Sequence, residues 1–450
     1  MAVAGAQFGA AADQPGEPTP VRVGYDVSVL LHARGATSGR TGIFRVVDAV
    51  ARGLARRPDC NLRFYLPHSL DSHITAREYL RAEPMFAHVP MGTARPQAIA
   101  RARVLRDIIL GINVEPPFRD ARRAFRSALS VARKAHELVH RPLPDVKADE
   151  LDVYHSPYGP LPTIRPLGGR KVPRVLTVYD LIPLRMPEHF DRGTLRTMQK
   201  IYGSLRPDDW AIAISECTRR DLLAIRPDLD GGRVVAAPLA ADETLFYPES
   251  SALRREDVRK RHGVGDGPYL LSLNTLEPRK NLDHLVRAFA RLLAQESVPG
   301  LQLVLAGAKG WKTARLYAAL DAISPRLRNR VVLAGYVADE DLAPLYSGAI
   351  GFVYPSLYEG FGLPPLEAMQ CGIPVVTSDT SSLPEVVGTA GIMLPPHDED
   401  ALAQAMLRLY EDAALRQRMG AASLAQAATF NWERCVAQTM RVYRAAQQAG

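Results

Sequence analysis

Residues 354 to 390, YPSLYEGFGLPPLEAMQCGIPVVTSDTSSLPEVVGTA, carry the densest chemistry in the chain. The stretch reads as a strand ending at Tyr354, a loop, and a helix opening near Leu363. Pro364 and Pro365 suit a first helical turn, where backbone donors are free in any case. Gly360 and Gly362 permit close backbone approach and unusual dihedrals. Bare amides at a helix N-terminus, on the carboxyl edge of a parallel sheet, bind phosphate. Glu359 in the loop and Glu367 in the second turn flank that place, eight residues apart. Carboxylates bind phosphate poorly but accept hydrogen bonds well from sugar hydroxyls. Either glutamate alone would pass for a loop charge or a helix-surface residue; the constellation as a whole does not.

The elements that must position these groups follow from the hydropathy rhythm. From Val21 the pattern is strand, loop, helix: VRVGYDV, then RGATSGRTG, then IFRVVDAVARGLARR with apolar residues at helical spacing. Short strands recur at LRFYLP, DVYHS, PRVLTVYD, DWAIAIS and RVVAAP. The second half repeats the rhythm at YLLSLN, LQLVLAG, RVVLAGY, AIGFVYP, IPVVTS and GIMLP. Strands separated by helices indicate parallel sheets covered on both faces, so two doubly wound α/β units are expected. The boundary is expected between Pro248 and Asp266. Gly263, Gly265 and Gly267 precede a strand instead of following one, which makes them a linker turn and not a dinucleotide fingerprint.

The chain has 450 residues, 47% apolar and 23% charged, with a formal net charge of +8. That mixture excludes a disordered, collagen-like or coiled-coil chain, and no run approaches the ~20 apolar residues of a membrane span. Residues 1–20 hold no Lys or Arg and read as a disordered tail. Cys60, Cys217, Cys371 and Cys435 lie far apart and suggest neither a disulfide framework nor a zinc site. Residues 95–143 hold eleven basic and four acidic side chains. They form either a packed helix with a solvated basic face, or an interfacial helix on anionic lipid or a cleft for an acidic acceptor. No nucleic-acid motif accompanies the charge, so no nucleic-acid partner is expected.

The stretch around Glu359 and Glu367 resembles the E-x7-E signature of retaining glycosyltransferases of the GT-B fold, family 4. LLSLNTLEPRKNLDHLVRAFARLL resembles that family's donor-phosphate loop and following helix. LVLAGAKG, VVLAGYVADEDLAPLYSGAIGFVYPS and GIPVVTSDTSSLPEVVGTAGIMLPP continue the likeness in order. It covers about 265–430 strongly and 21–247 more weakly, through the first glycine-bearing loop, YHSPYGPLP and TVYDLIPL.

The resemblance implies that Arg279 and Lys280 neutralise the donor diphosphate as the sugar leaves. It implies that Glu367 holds the nucleotide ribose. Glu359, Gly360 and the amides of Phe361, Gly362 and Leu363 would hold the donor hexose and its phosphate. Gly39, Arg40, Thr41 and Gly42 would form the phosphate or acceptor loop across the cleft, with Arg45 nearby, and His155 would approach the transferred sugar. Thr275 stands where the family often has Arg, and Tyr179–Asp180 where it often has His–Asp. No metal is expected; Asp228 to Asp230 read as a turn beside Pro227.

The expectation is a cytoplasmic, metal-independent and cofactor-free GT-B glycosyltransferase, two Rossmann-like domains facing each other across a cleft. Its parts would be a tail (1–20), an acceptor-side domain (21–250), a nucleotide-sugar domain (265–430) and a last helix (431–450) crossing back to the first domain. The donor would be a nucleotide-diphosphate hexose, GDP-mannose ahead of UDP-hexoses. The acceptor would be a glycan or a lipid-linked glycan of a bacterial surface polysaccharide or lipopolysaccharide. Residues 95–143 are the place for peripheral contact with the inner face of the cell membrane. A nucleotide-sugar epimerase on the same plan, and a non-catalytic sugar-nucleotide scaffold, are the alternatives.

Overall fold

The computed structural model describes residues 19–33, 42–65, 79–80, 82–91, 150–164 and 170–450. The tail, the basic segment 95–143 and the loop residues Gly39, Arg40 and Thr41 lie outside the described residues, apart from Thr19 and Pro20.

Among the described residues, two parallel six-stranded sheets organise the fold. The first comprises β1 (Val21–Asp26), β2 (Cys60–Tyr65), β3 (Val153–Ser156), β4 (Arg174–Val178), β5 (Trp210–Ala213) and β6 (Val234–Ala236), in the order β2-β1-β3-β4-β5-β6. The second comprises β7 (Tyr269–Leu273), β8 (Gln302–Ala306), β9 (Val331–Gly335), β10 (Gly351–Tyr354), β11 (Val375–Ser378) and β12 (Ile392–Leu394). Its order is β12-β11-β10-β7-β8-β9. The short Val-, Leu- and aromatic-rich runs form strands because helices cover both faces: β3, β4, β5, β10 and β11 are buried at every position.

The strand order decides where a ligand goes. In an open parallel sheet, a crevice opens at the carboxyl ends of the strands where the winding reverses. That point lies between β1 and β3 in the first sheet and between β7 and β10 in the second. The loop after β7 carries Asn274 to Asn281, and the loop after β10 carries Glu359 to Gly362.

Six helices frame this crevice: α1 (Gly42–Ala55), α2 (Glu216–Ile225), α3 (Leu282–Gln295), α4 (Asp339–Ser347), α5 (Leu363–Gln370) and α6 (Trp432–Ala449). The last of them packs on α1 and on strands of the first sheet, far from its neighbours in sequence. A Cβ on Gly53 of α1 would lie 2.4 Å from Val436, so the two helices meet at a position with no room for a side chain. Arg444 of α6 also pairs with Asp59.

The two halves touch across the crevice. Ser215 Oγ and Thr218 Oγ1 donate to the Gly360 carbonyl at 2.6 and 3.0 Å. Glu385 accepts from the amides of Glu216 and Cys217 at 2.8 and 2.6 Å, an acid on the positive end of α2. Tyr358 donates to Asp221 at 2.6 Å. A Cβ at Gly360 would meet the Tyr179 carbonyl at 2.2 Å, so only glycine allows the halves to approach this closely.

Candidate active site

A cavity of about 580 Å³ lies between the two sheets. Arg279, Lys280, Thr275, Glu359, Gly360, Phe361, Gly362, Leu363 and Glu367 line it from the second half, and Gly42, Arg45, Tyr179 and Asp180 from the first. The structure brings these sequence-named residues together around one cavity. Gly362 has a φ of 113°, which a residue with a Cβ rarely adopts, and it turns the chain from the loop into α5. Pro364 and Pro365 follow in the first turn of that helix.

At one end stand the cations. Lys280 is buried, and its Nζ donates to Glu359 Oε1 at 2.7 Å and to the Tyr354 hydroxyl at 2.5 Å. Arg279 Nη1 lies 2.8 Å from the same Oε1, and its Nη2 donates to Glu277 at 2.5 Å. Tyr354 and Ser356 donate to that oxygen too, at 2.9 and 2.6 Å. Burial alone would raise the Glu359 carboxyl, but Arg279 and Lys280 outweigh it and hold it down at about 2. Burial, and then the neighbouring Arg279, lower the pKa of the Lys280 ammonium. The family resemblance implies a sugar-binding role for Glu359; the structure makes it the counter-ion of both cations.

Glu367 is placed differently. Tyr346 donates to its Oε2 at 3.2 Å. Burial raises its carboxyl to about 7, although Arg45 pulls the other way. Arg45 itself donates from α1 to Asp339 Oδ1 on α4 at 2.6 Å, an ion pair across the cavity.

Some site groups escape a reading of motifs. Asn274 Oδ1 and Arg279 Nε are buried with no hydrogen-bond partner among the described residues, and both residues line the cavity. Orphaned polar atoms at such a place fit a polar ligand. Tyr336, Val337, Asp339 and Leu342 line it as well; they lie in the matching stretch VVLAGYVADEDL, where no role is assigned to them. Asp180, in the variant Tyr–Asp pair, lines the cavity and also caps a turn, accepting from the Ile182 amide at 3.0 Å.

His155 is the residue whose expected place the structure corrects. It is not among the residues lining the cavity; it is 1% exposed, on the interior strand β3 of the first sheet. One ring nitrogen bonds the Tyr443 hydroxyl at 2.6 Å and the other Thr177 Oγ1 at 2.8 Å. Burial holds its pKa down at about 3, so the ring is neutral at pH 7. The family resemblance puts it near the transferred sugar, but α6, arriving from the far end of the sequence, brings Tyr443 against it. A phenylalanine at this position should cost about 1–3 kcal/mol in urea unfolding, because two buried hydroxyls lose their partner. The donor KM should not change. A variant of normal stability with a kcat reduced more than about tenfold would return His155 to the reaction.

The turn expected at Asp228 to Asp230 is present: Asp228 pairs with Arg226, and Asp230 accepts from the Gly232 amide at 2.8 Å. Among the described residues, no helix is long and apolar enough to cross a membrane.

Two facing parallel sheets with the crevice between them constitute the GT-B architecture of glycosyltransferases. The profile described as "Glycosyl transferases group 1" matches residues 254–425. The O-antigen chain mannosyltransferase B of Escherichia coli is 36% identical over 293 residues, covering 65% of this chain and 74% of that protein. The chain belongs to this glycosyltransferase family. The serotype-specific mannosyltransferase WbdA of Escherichia coli is 32% identical over 260 residues, 57% of this chain but only 32% of that much longer protein. Among solved structures, the sucrose-phosphate synthase of Thermosynechococcus elongatus superimposes with a TM-score of 0.61 at 20% identity. That match covers 96% of this chain and all of the other.

Proposed function

We propose that this glycosyltransferase transfers mannose, with retention of configuration, from GDP-mannose to a glycan or lipid-linked acceptor of a bacterial surface polysaccharide. The observation that carries the reading is the pair Arg279–Lys280 facing the bare N-terminus of α5 in one cavity, with Glu359 and Glu367 on its wall. The two named mannosyltransferase relatives favour the sugar and the pathway class.

In this reading the diphosphate lies between the two cations and the amides of Phe361 to Leu363. As the C1–O bond breaks, negative charge grows on the departing phosphate oxygen, and preorganised cations stabilise it most at that moment. The four donors on Glu359 all meet Oε1. Oε2 is then the atom for a hexose hydroxyl. The ionised Glu367 accepts from the ribose hydroxyls. The acceptor enters on the same face that the leaving phosphate occupies, and that phosphate oxygen takes the acceptor's proton, so the anomeric configuration is kept. No side-chain base, cofactor or metal takes part in this scheme, and residues 95–143 supply peripheral contact with anionic membrane.

The test uses a panel of nucleotide sugars without acceptor, in EDTA. GDP-mannose should raise the melting temperature and release GDP slowly, since ligand binding to the native state raises apparent stability. With an acceptor, the product linkage should be α, as in the donor. A larger shift and faster release with a UDP-hexose would move the donor assignment to uracil; a β-linked product would end the retaining reading.

A further inference from the structure

We propose that Tyr358 is a positioning residue for Arg279, tying the cation that faces the donor diphosphate to the first half of the protein; this rests on the role given to Arg279 above. Tyr358 stands directly before Glu359, in the loop after β10. Its side chain reaches into the first half. The hydroxyl donates to Oδ2 of the buried Asp221 on α2 at 2.6 Å, and Cys217 Sγ of the same helix lies 3.5 Å from it. The Arg185 guanidinium covers the ring, 5.1 Å from its centroid, and Arg185 Nη1 donates to the other oxygen of Asp221 at 2.6 Å. Burial, and then the bond to Asp221, raise the hydroxyl well above its ordinary pKa, so it stays the donor. Tyr358 is thus seated on the first half although the chain of the second half carries it.

Its carbonyl serves the second half. It accepts from Arg279 Nη1 at 2.6 Å, while Glu277 holds Nη2 at the other end. A guanidinium is a rigid planar fork, so two anchored nitrogens set its plane. That leaves Nε, which has no partner among the described residues, for a ligand. The Arg279 carbonyl in turn accepts from the Leu357 amide at 2.9 Å, which closes the loop onto the cation. A turn of Tyr358 therefore moves the guanidinium, and the cation keeps its direction only while Asp221 holds the hydroxyl. Tyr358, Asp221 and Arg185 are not among the residues lining the cavity, so they act on the reaction through Arg279.

Placement matters at this position. A preorganised cation stabilises charge as it develops, and a misplacement of about 1 Å can cost about a hundredfold in rate. An ordinary interface bond would add stability and leave phosphate recognition alone. The two roles separate in ligands of different phosphate number, because a nucleoside monophosphate lacks the phosphate that carries the sugar.

Tyr358→Phe removes only the hydroxyl and keeps the ring on Arg185. Calorimetric Kd values for GDP against GMP and for UDP against UMP, with nucleotide release from GDP-mannose and a UDP-hexose, test the proposal. In whichever pair binds, Tyr358→Phe should weaken the diphosphate about threefold or more and lower kcat about tenfold. The monophosphate should bind as to wild type, which shows that the variant is folded. Asp221→Ala should do the same, and Asp221→Asn, which keeps an acceptor for the hydroxyl, should recover most of the loss. Tyr358→Phe combined with Asp221→Ala should be within about twofold of either alone, since the two residues act as one unit. Lower stability in urea with an unchanged diphosphate preference and kcat would make the bond an interface contact and overturn the proposal. Additive losses in the double variant would overturn it as well. A diphosphate preference lost in Arg279→Met but kept in Tyr358→Phe would end the positioning role alone. A preference that survives even Arg279→Met would remove Arg279 from phosphate binding, and the proposal with it.

Discussion

Replacing Lys280 with methionine is expected to lower kcat by about two to three orders of magnitude, the loss seen when one preorganised donor to a developing oxyanion is removed. Donor KM should rise far less. The ammonium is buried and already compensated by Glu359, so it gives little to ground-state binding that Arg279 cannot supply. Methionine keeps the length of the stem and so limits the packing cost. The substitution also removes one of the two cations that hold the Glu359 carboxyl at about 2.

That coupling gives a second readout, with a definite sign. A carboxyl with its folded pKa below its unfolded value adds stability above the unfolded pKa, lost as pH falls through the folded one. For Glu359 the window runs from about 4.5 down to about 2. The Lys280→Met variant should therefore lose most of its stability difference from wild type between those pH values. Steady-state nucleotide release and urea midpoints at pH 7, 4 and 3 would check both effects. Unchanged kcat in a folded variant would remove Lys280 from the reaction.

Much of this site is legible in the sequence because it is built from local features. The strand, glycine loop and proline-led helix from Tyr354 to Gln370 are contiguous, and so are the strand, loop and helix that carry Arg279 and Lys280. Hydropathy and turn chemistry are short-range, and they expose such units. What stays hidden are partnerships over long sequence distances. Arg45 and Asp339 are 294 residues apart, and nothing in either stretch points to the other. Glu385 looks like any helix-start acid until α2 is set beside it. His155 looks catalytic until α6, 288 residues further on, delivers Tyr443 to it. The sequence places Glu359 in a loop and Glu367 in a helix, but the charge state of each is set by neighbours that it does not show. One sits among cations and is driven ionised; the other sits against a tyrosine and an apolar wall and is driven towards neutrality.

That difference makes Glu367→Gln the variant with the most distinctive behaviour. A carboxyl raised from 4.5 to about 7 by burial binds its proton more tightly in the folded protein than in the unfolded one. Between these two values the native state holds more protons, so stability falls as pH rises through the window and levels off above it. The full shift corresponds to about 3 kcal/mol, an upper bound because the residue is partly open to the cavity. Glutamine is isosteric and does not ionise. The variant should match wild type near pH 5 and exceed it at pH 8, by up to that amount, in urea unfolding. Nucleotide binding should move the opposite way. Wild-type affinity for GDP should climb as pH rises through about 7, when the carboxylate that accepts the ribose hydroxyls forms, and the variant should show a flat profile. At pH 8 it should bind GDP about tenfold or more weakly, the worth of a charged hydrogen bond. A stability difference independent of pH would mean that Glu367 titrates normally. A wild-type profile as flat as the variant's would mean that the ribose is held elsewhere.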